Sequence, residues 1–157
     1  MNKLKKFKTW CLFDFGLSSY PTLILTFFFG AYYVKVIAID EVSGSADWGL
    51  SISISSFICV IVFTLFLKVK KRLGLTVKSR NFLIPFLLLI SCTSFLYLFN
   101  DSRFIYLPLL FVVVSFVAFE VLNLFYNISL DKVATKTSKG SISNLGWGFG
   151  YFGGFLA

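Results

Sequence analysis

Apolar residues in this chain come in long unbroken runs, not in the alternation of a half-buried strand or the one-sided stripe of a water-facing helix. A helix rises about 1.5 Å per residue, so crossing ~30 Å of hydrocarbon takes about 20 mostly apolar residues. Four stretches meet or approach that length: 17–39, 50–67, 82–99 and 104–126. A fifth begins at about Leu145 and is still running at Ala157. Its roughly 13 residues make about 20 Å of helix, and a backbone end left in lipid has carbonyls without partners. The expectation is therefore that 145–157 is an incomplete span and that the chain itself is incomplete. A membrane barrel would need segments of about ten residues alternating apolar and polar, whereas 82–90 and 107–114 are almost continuously apolar. The predicted class is all-α: a polytopic transmembrane helix bundle of about five spans.

Composition agrees with that pattern. A mean hydropathy of +0.85, with 14% charged residues against about 25% in a typical soluble domain, leaves too little polar surface to coat a water-soluble globule. The net charge of +8 would suggest nucleic acid if it were spread over one surface, but it is not. Thirteen of the fifteen Lys and Arg residues fall in three alternate connections. These hold Lys3, Lys5, Lys6 and Lys8; then Lys68, Lys70, Lys71, Arg72, Lys78 and Arg80; then Lys132, Lys136 and Lys139. The intervening connections carry Asp40, Glu41 and Asp47, then Asp101 with Arg103. The positive-inside bias then places the N-terminus and both basic loops in the cytoplasm, in a multi-pass protein of the cell (inner) membrane. The implied partner is the lipid bilayer, with no nucleic acid. Lys35 sits about a turn before the outer end of the first run, where its stem can lift the ammonium to the headgroups.

Candidate chemistry is sparse. The sequence has no histidine, and Cys11, Cys59 and Cys92 stand singly, reading as small apolar helix residues. Nothing calls for a metal or a cofactor, and no nucleophile–base pair or phosphate-binding glycine loop points to an enzyme. Charge within a span is costly and marks candidate function. Glu120 leads, with Asn123 at i+3 and Asn127 at i+7 projecting from the same helical face. That face would line a substrate or ion path with Glu120 exchanging a proton; alternatively Glu120 reaches interfacial water or pairs with a loop lysine. Asp14, flanked by aromatics, reads either as a carboxylate complementing the N-terminus of the first span or as a gate contact. Gly146, Gly150 and Gly154 recur every four residues, with Gly148 and Gly153 beside them, giving a helix face without bulk. That face serves close helix packing or a sliding or rocking contact between helix bundles.

Two segments carry a family resemblance. The opening Trp10-Cys11-Leu12-Phe13-Asp14-Phe15-Gly16-Leu17-Ser18-Ser19-Tyr20, and the later Phe125-Tyr126-Asn127 followed by Ser143-Asn144-Leu145-Gly146-Trp147-Gly148-Phe149-Gly150-Tyr151-Phe152-Gly153-Gly154, resemble motifs of the vacuolar amino-acid effluxer family of the major facilitator superfamily. The glycine spacing is also similar to the fifth-helix motif of antiporters in that superfamily, with Tyr151 in place of its proline. Two positions depart from the pattern. Leu17 stands where the family commonly has Asn, and Phe66-Leu67-Lys68-Val69-Lys70-Lys71-Arg72-Leu73-Gly74 keeps the positive charge of the family's loop but lacks the Asp that in the superfamily joins a cytoplasmic latch. The resemblance implies twelve spans in two six-helix halves, with residues 1–157 part of the N-terminal one, and a secondary transporter for a small polar solute, amino acids among them, with proton coupling and with C-terminal helices beyond this chain. The alternative expectation is a truncated, transport-inactive small membrane protein or packing partner.

Overall fold

The computed structural model describes residues 3–135 and 137–157. Lys136 of the third basic cluster and the Lys3 side chain lie outside what is described. The described residues form helices and their connections, with no strand among them. In chain order these are α1 (Lys3–Leu17), π-helical turns at Pro21–Phe27 and Tyr33–Ile37 flanking the short α2 (Phe29–Tyr32), α3 (Glu41–Leu73), α4 (Leu83–Leu96), α5 (Tyr106–Ser129) and α6 (Lys139–Leu156). Short 3₁₀ turns precede α4 and α5 and follow α5.

Among the described residues, four helical stretches are long and apolar enough to cross a membrane: Leu4–Ile37, Glu41–Leu73, Ser79–Leu96 and Tyr106–Lys132. They leave Phe57, Val60, Ile84, Leu87 and many similar side chains exposed, a surface that water would not tolerate and lipid solvates. The chain is a multi-pass membrane protein. Most of its helices outrun the apolar stretches of the sequence, because charged residues that hydropathy counts against a span are good helix formers just outside it. Thus α1 starts at Lys3, and α3 takes in Glu41 and Asp47 at one end and Lys68 to Arg72 at the other. The fifth stretch begins at Lys139 but is not among the four. The glycines that remove bulk from α6 also remove apolar side chains.

Local sequence sets the helix ends. Pro21 cannot donate to the carbonyl of Leu17, and α1 stops there, giving way to wider turns in which Phe28 N–H reaches the Leu23 carbonyl at 3.2 Å. Gly74 takes the left-handed conformation (φ 60°) that ends α3, with Lys70, Lys71 and Arg72 in the last turn complementing the helix dipole. At the other end of α3, the Asp40 carboxylate accepts from Val42 N and Ser43 N at 2.9 Å each and from Ser43 Oγ at 2.6 Å. These donors, the Ser43 hydroxyl foremost, hold its carboxyl below the usual carboxylate range. A depressed folded pKa means that the cap is fully present above the ordinary range and is lost as pH falls through the lowered value. We expect Asp40→Ala to weaken hydrogen-exchange protection of the Val42 and Ser43 amides at neutral pH. The wild type should approach the variant only in acid below the normal carboxylate range; equal protection at neutral pH would remove the cap.

The chain divides into two compact units, one built from the residues up to Phe29 with Phe125–Ala157, the other from Gly30–Leu124. In the second, Leu96, Val112 and Leu122 are buried to 1% exposure or less. Phe111 of α5 stacks on Phe95 of α4 with ring centres 5.3 Å apart. The 38–40 connection is tight: a side chain at Gly44 would lie 2.5 Å from the Ala38 Cβ. In the first unit, Trp10, Cys11, Tyr126 and Val133 form the core, with Phe7, Phe13, Leu130 and Ile142 packed around it. All three cysteines are buried free thiols.

Candidate functional site

The first unit brings α1 and α6 together through two stripes of four-residue period. Along α1 and the turn that follows, Trp10, Asp14, Ser18 and Thr22 fall on one face, as Gly146, Gly150 and Gly154 do along α6. A methyl group on Gly146 would run into the Trp10 ring and the Tyr126 hydroxyl. One on Gly150 would sit 2.7 Å from Asp14 Oδ2 and 2.9 Å from Ser18 Oγ, and one on Gly154 2.9 Å from Thr22 Oγ1. The contacts advance in the same direction on both helices, so α1 and α6 run parallel. Between the stripes, the Phe15 carbonyl occupies the space where a Gly153 side chain would be. Backbone meets backbone there, the approach that small residues permit in lipid.

The C-terminal turn of α5 closes one end of this cleft. The Trp10 indole N–H donates to the Tyr126 carbonyl at 3.2 Å, satisfying one of the last four carbonyls of α5, and the two rings stack with centres 4.2 Å apart and planes 10° from parallel. Tyr126 is 3% exposed. Its hydroxyl lies beside the Asp14 carboxylate without a well-formed hydrogen bond to it or to any other described residue. A half-buried carboxylate, a buried phenol without a good partner and the Ser18 hydroxyl thus converge on a wall stripped of side chains by Gly146 and Gly150. Such an arrangement can hold a proton on the carboxyl and hand it on, or hold a small polar group against both oxygens.

The sequence-predicted residues separate accordingly. Asp14 and the glycines come together in the first unit; Glu120 and Asn123 belong to the second. Asp14 stands in the last turn of α1, three turns from the helix start at Lys3, so it does not complement that N-terminus. Glu120 is half-buried, without a hydrogen bond or ion pair among the described residues. Asn123 is half-buried and Asn127 exposed. Lys35 is exposed near the end of its span. Tyr126, Trp10 and Ser18 line the candidate site beside Asp14 without having been singled out as candidates from the sequence. The signal for Ser18 was available, since it follows Asp14 by four residues as Gly154 follows Gly150.

An uncharacterized MFS-type transporter, YxiO of Bacillus subtilis (strain 168), is 29% identical to this chain over 152 residues. The chain is similar to a major facilitator transporter. That similarity covers 95% of the chain, which spans about a third (35%) of the relative's length. No family model matches the chain, and no solved structure does.

Proposed function

We propose that this chain is the N-terminal part of a secondary transporter of the major facilitator type that moves a small polar solute, amino acids first among the classes to test, in exchange with or alongside protons. The observation that carries the reading is the similarity to an MFS-type transporter across nearly the whole chain. The cleft between α1 and α6 supports it by offering an acidic group at a helix–helix contact within a span. In this reading Asp14 takes up a proton on one side of the membrane and releases it on the other, with the Tyr126 hydroxyl as hydrogen-bond donor to the ionised form. Glu120, with Asn123 and Asn127, is the second candidate station. Gly146, Gly150, Gly153 and Gly154 keep α1 and α6 close enough to move as one body while the two halves rock about a midplane site. The N-terminus is cytoplasmic in this arrangement, with the protein in a cell membrane whose basic loops remain inside.

The test is solute-driven proton movement in everted vesicles or proteoliposomes, using the full protein that carries this sequence and a panel of amino acids. At least one solute should discharge an imposed pH gradient. Asp14→Asn and Glu120→Gln should each cut that signal by about tenfold or more, about 1.4 kcal/mol in the coupling step. Gly150→Ala separates placement from stability. Its methyl meets the ends of flexible side chains, so unfolding should shift by less than about 1 kcal/mol while coupled flux falls. Full flux in both carboxylate variants would remove proton exchange at these residues, and silence across a broad solute panel would remove the transporter reading.

A further inference from the structure

The end of α3 and the start of α4 carry six cations: Lys68, Lys70, Lys71, Arg72, Lys78 and Arg80. No acidic residue occurs between Asp47 and Asp101, so nothing nearby in sequence neutralises them. None is ion-paired among the described residues, and all but the half-buried Lys70 are exposed. Their depth follows from helix geometry. Residues 48–67 of α3 are free of charge, and these twenty residues rise about 30 Å, the thickness of the hydrocarbon core. Lys68 therefore falls at the edge of the hydrocarbon, and Lys71 and Arg72, on its face at i+3 and i+4, reach the level of the lipid phosphates. The chain then turns back at once. Gly74 ends the helix, Val77 is buried at 4% exposure, and Lys78 N–H donates to Asn81 Oδ1 at 2.9 Å, setting Lys78 and Arg80 just before the apolar run of α4.

We propose that this turn is a binding surface for the headgroups of anionic phospholipids. Charge complementarity names the phosphate, and the neighbouring apolar side chains name its source. Leu73 and Leu75 are 63% and 46% exposed between the cations, a pairing that suits the boundary between acyl chain and headgroup and gives nothing to a free anion in water. Basic side chains at the membrane surface favour anionic lipid by about fivefold each, so several acting together select strongly. This inference does not depend on the transporter reading.

Native mass spectrometry of the purified full protein, offered phosphatidylglycerol and phosphatidylcholine together, reads the preference directly. The expected result is retained phosphatidylglycerol. A combined Lys68→Gln, Lys71→Gln, Arg72→Gln variant should lower the preference by about tenfold or more. High salt should weaken it, and neutralising Lys5, Lys6 and Lys8 instead should leave it largely intact. Equal binding of the two lipids would overturn the proposal, as would equal losses from the two triple variants, which would indicate net charge alone. Displacement of the lipid by millimolar inorganic phosphate would also overturn it, by identifying a free-anion site. Should the triple variant fail to fold, the lipid competition and salt titration on the wild type still decide.

Discussion

Trp10→Ala should destabilise the protein in detergent by about 3 kcal/mol, the lower end of the cost of truncating a buried aromatic, because lipid or detergent solvates part of the surface that is uncovered. Trp10 performs three tasks at once. Its ring stacks on Tyr126, its edge fills the space left by Gly146, and its indole N–H holds the Tyr126 carbonyl. The alanine variant loses all three and leaves a cavity beside a buried phenol. Trp10→Phe keeps most of the packing but not the donor, so it should cost about 1 kcal/mol more than the loss of ring area alone. Unfolding in a mixed-detergent titration, followed by the fluorescence of Trp48 and Trp147, measures both. An alanine variant within about 1 kcal/mol of wild type would show that this cluster does not hold α5 against α1.

Gly153→Ala is the second change with a large expected effect, about 2 kcal/mol or more. A methyl there lands on the Phe15 carbonyl, and a backbone atom cannot rotate aside as a side chain can. Relief requires α1 and α6 to separate, which also loosens the contacts at Gly146, Gly150 and Gly154. Gly148 supplies the control, with open space around the position of its missing side chain. Gly148→Ala should be neutral or stabilising by up to about 1 kcal/mol through helix propensity. Identical stabilities for the two alanine variants would mean that the glycine spacing in α6 does not set the approach of α1.

These residues differ in how much of their role is legible in the sequence. The glycine repeat and Asp14 are visible in the sequence because a four-residue period and a charge in an apolar run are local signals. That the two belong to the same site is not, because more than a hundred residues lie between them. Glu120 carried the stronger local signal, yet the fold assigns it and Asp14 to different compact units. The polar face of Glu120, Asn123 and Asn127 follows from helical periodicity. Only packing determines that Glu120 and Asn123 are half-buried while Asn127 is exposed.

The sequence alone determined that the chain is helical and lies in lipid. Bilayer thickness turns the length of an apolar run directly into a span, and an unpaired backbone in hydrocarbon leaves no other form for it. Where the helices end and which faces meet were decided by the tertiary structure. Helices continue past the lipid edge wherever capping and charge allow, and two of them come within backbone contact only where missing side chains on one match protruding groups on the other.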